Sequence, residues 1–117
     1  EIAKNTFSTL QIDNIDLVLG QFSDTLTQTI NNVDTLDFVF FDGNHQFEAT
    51  MEYFEICKAK ANQNTCFIFD DIYWSEGMTK AWQAIKNDKD VMISIDTFYF
   101  GICFFRKNQP KQHFILK

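Results

Sequence analysis

Apolar residues along the chain alternate between a helical period and short continuous runs. In residues 46–61 and 75–87 they recur at spacings of three and four, and residues 1–10 repeat this pattern over a shorter length. Such spacing places apolar side chains on one side of a helix, so three amphipathic helices are predicted. Their apolar stripes are Ile2, Ala3, Phe7 and Leu10, then Phe47, Met51, Phe54 and Cys57, then Met78, Ala81, Trp82 and Ile85.

Short runs rich in Phe, Ile and Val lie between these helices and predict β-strands. They are residues 14–20, 36–42 and 65–71. The second and third runs are nearly continuous, which is typical of parallel strands that are buried on both faces of a sheet. A weaker helical pattern after the first run predicts a short helix that is capped by Ser23 or Asp24.

The pattern changes after residue 90. Residues 91–96 and 99–106 are two strand-like runs that only residues 97 and 98 separate. Because so short a connection cannot make a parallel crossover, an antiparallel hairpin is predicted. Alternating strands and helices that end in a hairpin predict an α/β domain, with parallel strands, helices and an antiparallel closing edge. Ser75 or Glu76 is suited to begin the last helix.

Composition limits the partners of such a domain. A chain of 117 residues, of which 45% are hydrophobic and fourteen are Phe, can form one domain with a core but not two. The formal net charge is −6 and basic residues are scattered along the sequence, which argues against nucleic acid or an anionic membrane as partner. No apolar run approaches the roughly 18 residues of a membrane span, and no signal-peptide pattern is present. We therefore expect a cytoplasmic protein.

The three cysteines add no chemistry of their own. Cys57, Cys66 and Cys103 stand in apolar runs and lack the spacing of a metal-binding or redox motif. They are predicted to be buried thiols, as is usual for cysteine in cytosolic proteins.

Three carboxylates stand where two predicted strands end. Asp42 follows the run FVFF, and Asp70 and Asp71 follow the run FIF. If these strands are parallel neighbours, their carboxyl ends lie side by side, where ligands bind in open α/β sheets. Carboxylates held close together repel one another and need a cation, a proton or solvation, and their oxygens suit a hard ion such as Mg²⁺. Alternatively, each Asp only caps the helix that follows it.

His45 and two aromatic residues stand close to these carboxylates in the sequence. His45 comes three residues after Asp42, where it can accept a proton near neutral pH or serve as a surface hydrogen-bonding residue. Tyr73 and Trp74 follow the acidic pair and either cover a substrate pocket or pack against the fold.

These motifs resemble the C-terminal part of class I S-adenosylmethionine-dependent methyltransferases. FVFFDGNHQFEAT is similar to the fourth strand of that class and the helix after it, CFIFDDIYW to the fifth strand, and VMISIDTFYFGICFFRK to the closing antiparallel strands. The resemblance implies a Rossmann-like sheet and S-adenosylmethionine as cofactor. It places Asp42, Asp70 and Asp71 at the metal-ligand positions of the metal-dependent O-methyltransferases. Catechol-type members carry a lysine base where this chain has His45, so the substrate class stays open.

The cofactor site is matched only in part. VLGQFSDTL resembles the segment that touches the adenine after the third strand, so the resemblance makes Gln21 and Phe22, together with Asp42, the candidates for cofactor contact. The four glycines of the chain form no E/D-x-G-x-G turn, which grips the cofactor in this class. The resemblance therefore implies that residues 1–117 are a single partial domain without the N-terminal half of the cofactor site, with little activity of its own.

The resemblance thus implies transfer of a methyl group from S-adenosylmethionine to an oxygen of a small molecule, with His45 and Asp42 as catalytic residues and a divalent ion as an aid. One alternative is a non-catalytic interaction domain that keeps the fold. Another is a receiver-like domain, in which three Asp surround Mg²⁺ but the acidic pair would end the first strand. The apolar edge at residues 38–41 is predicted either to pair with residues 15–19 or to join two copies into a homodimer.

Overall fold

A five-stranded mixed sheet, with helices packed on one of its faces, organises the chain. The computed structural model describes residues 2–10, 13–43 and 45–116. Within these residues the helices are α1 (Ile2–Thr9), α2 (Phe22–Asn31), α3 (Phe47–Lys58) and α4 (Glu76–Lys86), and the strands are β1 (Phe38–Phe41), β2 (Cys66–Asp70), β3 (Ile93–Asp96), β4 (Phe100–Phe104) and β5 (Gln112–Ile115).

The strand order across the sheet is β1-β2-β4-β3-β5. β1 and β2 are parallel neighbours, and β4 is antiparallel to both β2 and β3. The predicted parallel pair and the predicted hairpin are therefore confirmed. β5 was not predicted from the sequence; it pairs in parallel with β3 at the far edge of the sheet. A run of four residues is too short for its period to be recognised, and the open edge of β3 supplies its partner.

The core lies between the sheet and the helices. All four residues of the predicted α4 stripe are buried, and Phe54 and Cys57 of α3 are buried with them. These side chains pack against Phe67 and Phe69, which point from β2 towards the helices. Tight packing also explains a glycine in β4, because a Cβ atom on Gly101 would lie 2.5 Å from the ring of Trp82.

The other face of the sheet is only partly covered. In β1, Phe38 is 58% exposed and Phe40 is 46% exposed. They alternate with Val39 and Phe41, which are half-buried. The expectation that β1 is buried on both faces is therefore wrong. A continuous apolar run shows only that both faces of a strand could be buried. Among the described residues, no helix or strand covers Phe38 and Phe40.

Two predictions for the N-terminal part are corrected. Residues 14–20 form no strand, because a strand needs a partner for its backbone N–H and C=O groups and no described strand pairs with this segment. It therefore does not pair with β1 either. Helix α2 begins at Phe22 with Gln21 at the N-cap, so Ser23 and Asp24 lie in its first turn rather than capping it.

The remaining predictions for helices and thiols agree with the structure in part: helix α1 is present, but Ala3 and Leu10 of its predicted apolar stripe are exposed. Ser75 rather than Glu76 caps α4, since its hydroxyl oxygen accepts a hydrogen bond from the backbone N–H of Met78. The three cysteines are unpaired; Cys57 and Cys103 are buried and Cys66 is half-buried. None of the described helices combines the length and the apolar character needed to cross a bilayer.

Candidate active site

A cavity of about 240 Å³ lies between the carboxyl end of β1 and helices α2 and α3. Phe22, Asp42 and His45, three of the predicted site residues, all line it. Cys57 also lines the cavity, but burial raises the pKa of its thiol to about 11. The thiol is therefore protonated at neutral pH and is not a nucleophile.

Aromatic rings form one wall of this cavity. The ring of Phe22 lies directly over Gly43, where an added Cβ atom would be 2.5 Å from the Cε2 atom of Phe22. Phe22 also packs edge-on against Tyr53, with ring centroids 5.5 Å apart. The absence of a side chain at Gly43 thus lets an aromatic ring lie against the loop after β1.

The three carboxylates gather at the adjoining carboxyl ends of β1 and β2. The register pairs Phe41 with Phe69, so the next residues, Asp42 and Asp70, are neighbours. The pKa of Asp70 is raised by burial, by a hydrogen bond with Asp42 and by the nearby charge of Asp71. The structure therefore brings the side chains of Asp42 and Asp70 together, and Asp71 is close enough for its charge to act on Asp70.

Asp71 connects the carboxylates with His45. Its backbone has φ of 56°, an uncommon conformation for a residue other than glycine, and such residues are found preferentially at functional sites. Its Oδ2 atom lies 3.6 Å from Nε2 of His45. Nε2 has no hydrogen-bond partner among the described residues and is shielded from solvent. The carboxylate of Asp71 therefore faces this nitrogen of the imidazole ring.

The backbone of His45 is held by α4. Ser75 donates its hydroxyl proton to the carbonyl oxygen of His45 at 3.2 Å. The same hydroxyl oxygen accepts from the N–H of Met78 at 3.1 Å and so caps α4. One side chain therefore fixes the start of a helix and the loop that carries the histidine.

The two aromatic residues after the acidic pair differ in environment. Tyr73 donates a hydrogen bond to the buried carboxylate of Asp96, and its ring packs against Phe98. That bond and burial raise the pKa of Tyr73. Trp74 instead lies beside His45, with ring centroids 6.1 Å apart. Tyr73 thus has the packing role and Trp74 borders the site.

Some residues of the site differ from the sequence-based expectation. Gln21 lines a neighbouring groove with Phe22 and Tyr53 rather than the cavity itself. Thr50 and Tyr53 line the site region and were not predicted. They stand on α3 at spacings of three and four residues that lead to Cys57 of the apolar stripe, and this spacing is the signal that could have identified them.

The chemistry of the carboxylates suits a hard cation, but their present arrangement is not a ready metal site. Within the part of the chain that the structure describes, no three His, Cys, Asp or Glu side chains are grouped so as to hold a metal ion. Instead, burial, a hydrogen bond with Asp42 and the nearby charges of Asp71 and Asp42 raise the pKa of Asp70, as expected for carboxylates that lie close together.

The cavity fits part of a nucleoside cofactor. Its aromatic wall suits a flat base, while Asp42 supplies a hydrogen-bond acceptor at the edge. Its volume of about 240 Å³ is below the roughly 300–1,000 Å³ that is usual for small-molecule sites. The described residues are therefore suited to one portion of such a ligand.

A Rossmann-like α/β sheet with its polar site at the carboxyl ends of parallel strands defines the class of this protein. The profile of a family described as "Methyltransferase domain" matches residues 2–72, more than half of the chain. The chain belongs to this methyltransferase family, whose reaction is methyl transfer from S-adenosylmethionine. The matched region includes Phe22, Asp42 and His45 and extends through Asp70 and Asp71. No curated protein matches the sequence significantly.

Proposed function

We propose that the protein transfers the methyl group of S-adenosylmethionine to a hydroxyl oxygen of a small molecule. The observation that carries this proposal is the shared cavity, which a candidate cofactor residue, Phe22, lines together with Asp42 and His45. A cofactor contact and a proton acceptor in one cavity are what methyl transfer to a hydroxyl group requires.

Phe22, Gln21 and Asp42 would hold the cofactor. Phe22 offers a ring face for the base, and Asp42 and Gln21 offer hydrogen-bonding groups on the cavity and on its adjoining groove. When bound, S-adenosylmethionine supplies a methyl group on a positively charged sulfur, and this group moves to oxygen as the C–O bond forms and the C–S bond breaks. By resemblance to class I enzymes, we also propose that a Gly-rich segment outside residues 1–117 completes this site.

His45 would take the proton that the acceptor hydroxyl loses. The carboxylate of Asp71 faces Nε2, so it favours the tautomer with hydrogen on Nε2 and leaves Nδ1 to accept the proton. Asp71 would also stabilise the imidazolium ion that results. Ser75 keeps the loop of His45 in register with α4 during this step.

A divalent ion such as Mg²⁺ is a separate part of the proposal. Asp42, Asp70 and Asp71 have the oxygen ligands for it, and a bound cation would lower the pKa of the acceptor hydroxyl. Since these side chains do not form a ready cluster, we assign the ion no step in the transfer. We place the reaction in the cytoplasm, which the three unpaired cysteines support.

Mass spectrometry tests the reaction. The full natural protein that carries these residues is incubated with methyl-labelled S-adenosylmethionine and with paired acceptors that differ only in a hydroxyl or an amino group. We expect labelled methyl ethers and no labelled amines, with formation reduced by His45→Ala. Label on nitrogen alone would contradict O-methylation and retain the family reaction.

The exposed apolar face favours one second candidate, a non-catalytic interaction domain. Phe38, Phe40 and Phe100 are all exposed on the same side of the sheet, and Phe40 and Phe100 contact each other across it. Calorimetry with S-adenosylhomocysteine separates the two functions. The enzyme binds this product of the reaction, whereas a domain that only binds a partner does not.

A further inference from the structure

We propose that Asp96 is a positioning residue of the active site. Asp96 is the last residue of β3, and it holds the turn after β2, which begins at Asp71. This connection keeps the carboxylate of Asp71 directed at His45, the proposed base. The inference rests on the proposed function, because it concerns the partner of the base in that reaction.

The carboxylate of Asp96 joins two turns at the same edge of the sheet. It is 4% exposed, and a charged group is buried at high cost in free energy unless hydrogen bonds compensate. One of its oxygens accepts a hydrogen bond from the hydroxyl of Tyr73, in the turn after β2. The other accepts from the N–H of Phe98 at 2.8 Å, in the turn between β3 and β4. Asp96 lies outside residues 2–72, which the family profile matches.

Two further contacts connect the same turns. The rings of Tyr73 and Phe98 pack against each other with their centroids 5.6 Å apart. The N–H of Ile72, which is completely buried, donates to the carbonyl oxygen of Tyr99 at 3.3 Å. The bond from Tyr73 to Asp96 is therefore part of an ordered connection between the turns.

Each of the two turns contains a residue with an unfavourable backbone conformation. Asp71 has φ of 56° and Phe98 has φ of 79°. Residues other than glycine keep such conformations only where the surrounding contacts impose them. The carbonyl oxygen of Asp71 accepts from the N–H of Trp74 at 3.0 Å, so Tyr73 belongs to the turn that Asp71 begins. A bond that fixes Tyr73 therefore also restrains Asp71.

The conformation of Asp71 decides where its carboxylate points. Oδ2 of Asp71 lies 3.6 Å from Nε2 of His45, which is shielded from solvent and has no other polar partner among the described residues. A return of Asp71 to negative φ would turn its side chain away from the imidazole. His45 would then lose the negative charge that favours its protonated form. Asp96 thus acts on the base through Asp71.

Nuclear magnetic resonance of the isotope-labelled full natural protein tests this connection without any need for activity. A residue with positive φ gives a strong nuclear Overhauser effect between its own amide and α protons, because these two protons are closer together than at negative φ. We expect this signal for Asp71 in the unmodified protein. Tyr73→Phe removes only the hydroxyl and should abolish most of the signal. Asp96→Asn leaves one acceptor oxygen for two donors and should weaken it as well.

Thr97→Val is the matched control for a loosened turn. The hydroxyl of Thr97 donates to the carbonyl oxygen of Phe100 and accepts from its N–H, both at 3.1 Å, in the turn between β3 and β4. These bonds do not involve Tyr73, so the signal of Asp71 should persist in Thr97→Val. An unchanged signal in Tyr73→Phe, or an equal loss in Thr97→Val, would overturn the proposal.

Single-turnover rates of methyl transfer show whether the connection acts through Asp71. Tyr73→Phe should lower the rate several-fold while the affinity for S-adenosylmethionine is retained. In an Asp71→Asn background the same substitution should have no further effect on the rate, and additive losses would overturn the positioning role. Loss of the Asp71 signal in Tyr73→Phe, in a protein that methylates no acceptor, would support the connection and contradict the proposed reaction.

Discussion

The hydroxyl group of Ser75 joins helix α4 to the backbone of His45. It donates to the carbonyl oxygen of His45 at 3.2 Å while its oxygen accepts from the N–H of Met78 at 3.1 Å. A capping interaction in one element thus positions the proposed base in another. Stability and activity can be separated here, because the two bonds need different properties of the same side chain.

Substitutions at Ser75 should separate the two roles. Ser75→Ala loses both bonds and should lower the free energy of unfolding by about 1 kcal/mol, as is usual for loss of an N-cap. Ser75→Asp keeps an acceptor for the N–H of Met78 but has no proton to donate to His45. We therefore expect near-normal stability in thermal unfolding and a reduced rate of methyl transfer.

Ser75→Thr is the matched control, because threonine can make both hydrogen bonds. It should resemble the unmodified protein in stability and rate. If Ser75→Asp were as active as Ser75→Thr, the hydrogen bond to His45 would have no part in the reaction.

Gly43 and Phe22 should behave as a coupled pair. A Cβ atom at Gly43 would meet the ring of Phe22 at 2.5 Å, and because Phe22 is half exposed the ring can move away at small cost in stability. Gly43→Ala should therefore weaken binding of S-adenosylhomocysteine more than it weakens the fold. In a Phe22→Ala background the same substitution should have little further effect on affinity. A double-mutant cycle by calorimetry measures this coupling, and strictly additive losses would disprove it.

Asp70 should make the fold sensitive to pH and to cations. Its pKa is raised by burial, by the bond to Asp42 and by Asp71, so the folded state favours its protonated form. Its contribution to stability is greatest below its ordinary pKa and is lost as pH rises through the raised value. Asp70→Asn should therefore stabilise the metal-free protein at neutral pH and have a smaller effect at acidic pH, as thermal unfolding can measure.

The same variant tests metal assistance. If Mg²⁺ or Mn²⁺ binds at the three carboxylates, it should stabilise the unmodified protein, and this stabilisation should be weaker in Asp70→Asn and Asp71→Ala. Calorimetric titration of the cofactor-loaded protein without heat of binding would remove the metal from the proposal. His45 and hydrogen bonding would then act on the acceptor alone.

The edge of β1 leads to a prediction about association. β1 is an outer strand of the described sheet, and two of its residues, Phe38 and Phe40, are exposed. Exposed apolar strand edges tend to pair with another chain. We expect a homodimer in light scattering, and a monomer when Phe38→Lys places a charge at this edge. A stable monomer of the unmodified chain, with rapid amide exchange in residues 38–41, would contradict the prediction.

Local sequence patterns were sufficient to predict the helices that bury one apolar face and the hairpin. The stripes of α3 and α4 identified both helices, and the hairpin followed from the short spacing between β3 and β4. The position of the site could also be predicted, because neighbouring parallel strands bring Asp42 and Asp70 together at their carboxyl ends. Here the chemistry follows from topology and residue type alone.

Other features depend on long-range partners that the sequence does not reveal. Residues 14–20 have the composition of a strand but no described strand to pair with, whereas β5 has a weak pattern and gains a partner in β3. The contact of Phe22 with Gly43, and the bond from Ser75 to His45, join residues that are about 20 or 30 positions apart in the sequence. Neither contact has a periodic signal.

The most direct test of the account is the single-turnover rate of methyl transfer by the full natural protein carrying His45→Ala. Saturating S-adenosylmethionine and a hydroxyl acceptor isolate the chemical step from binding. The account predicts a rate lower by about 10²- to 10⁴-fold, as for loss of a general base, with cofactor affinity retained and partial recovery on addition of imidazole. An unchanged rate in His45→Ala would contradict the assignment of the base and with it the proposed site.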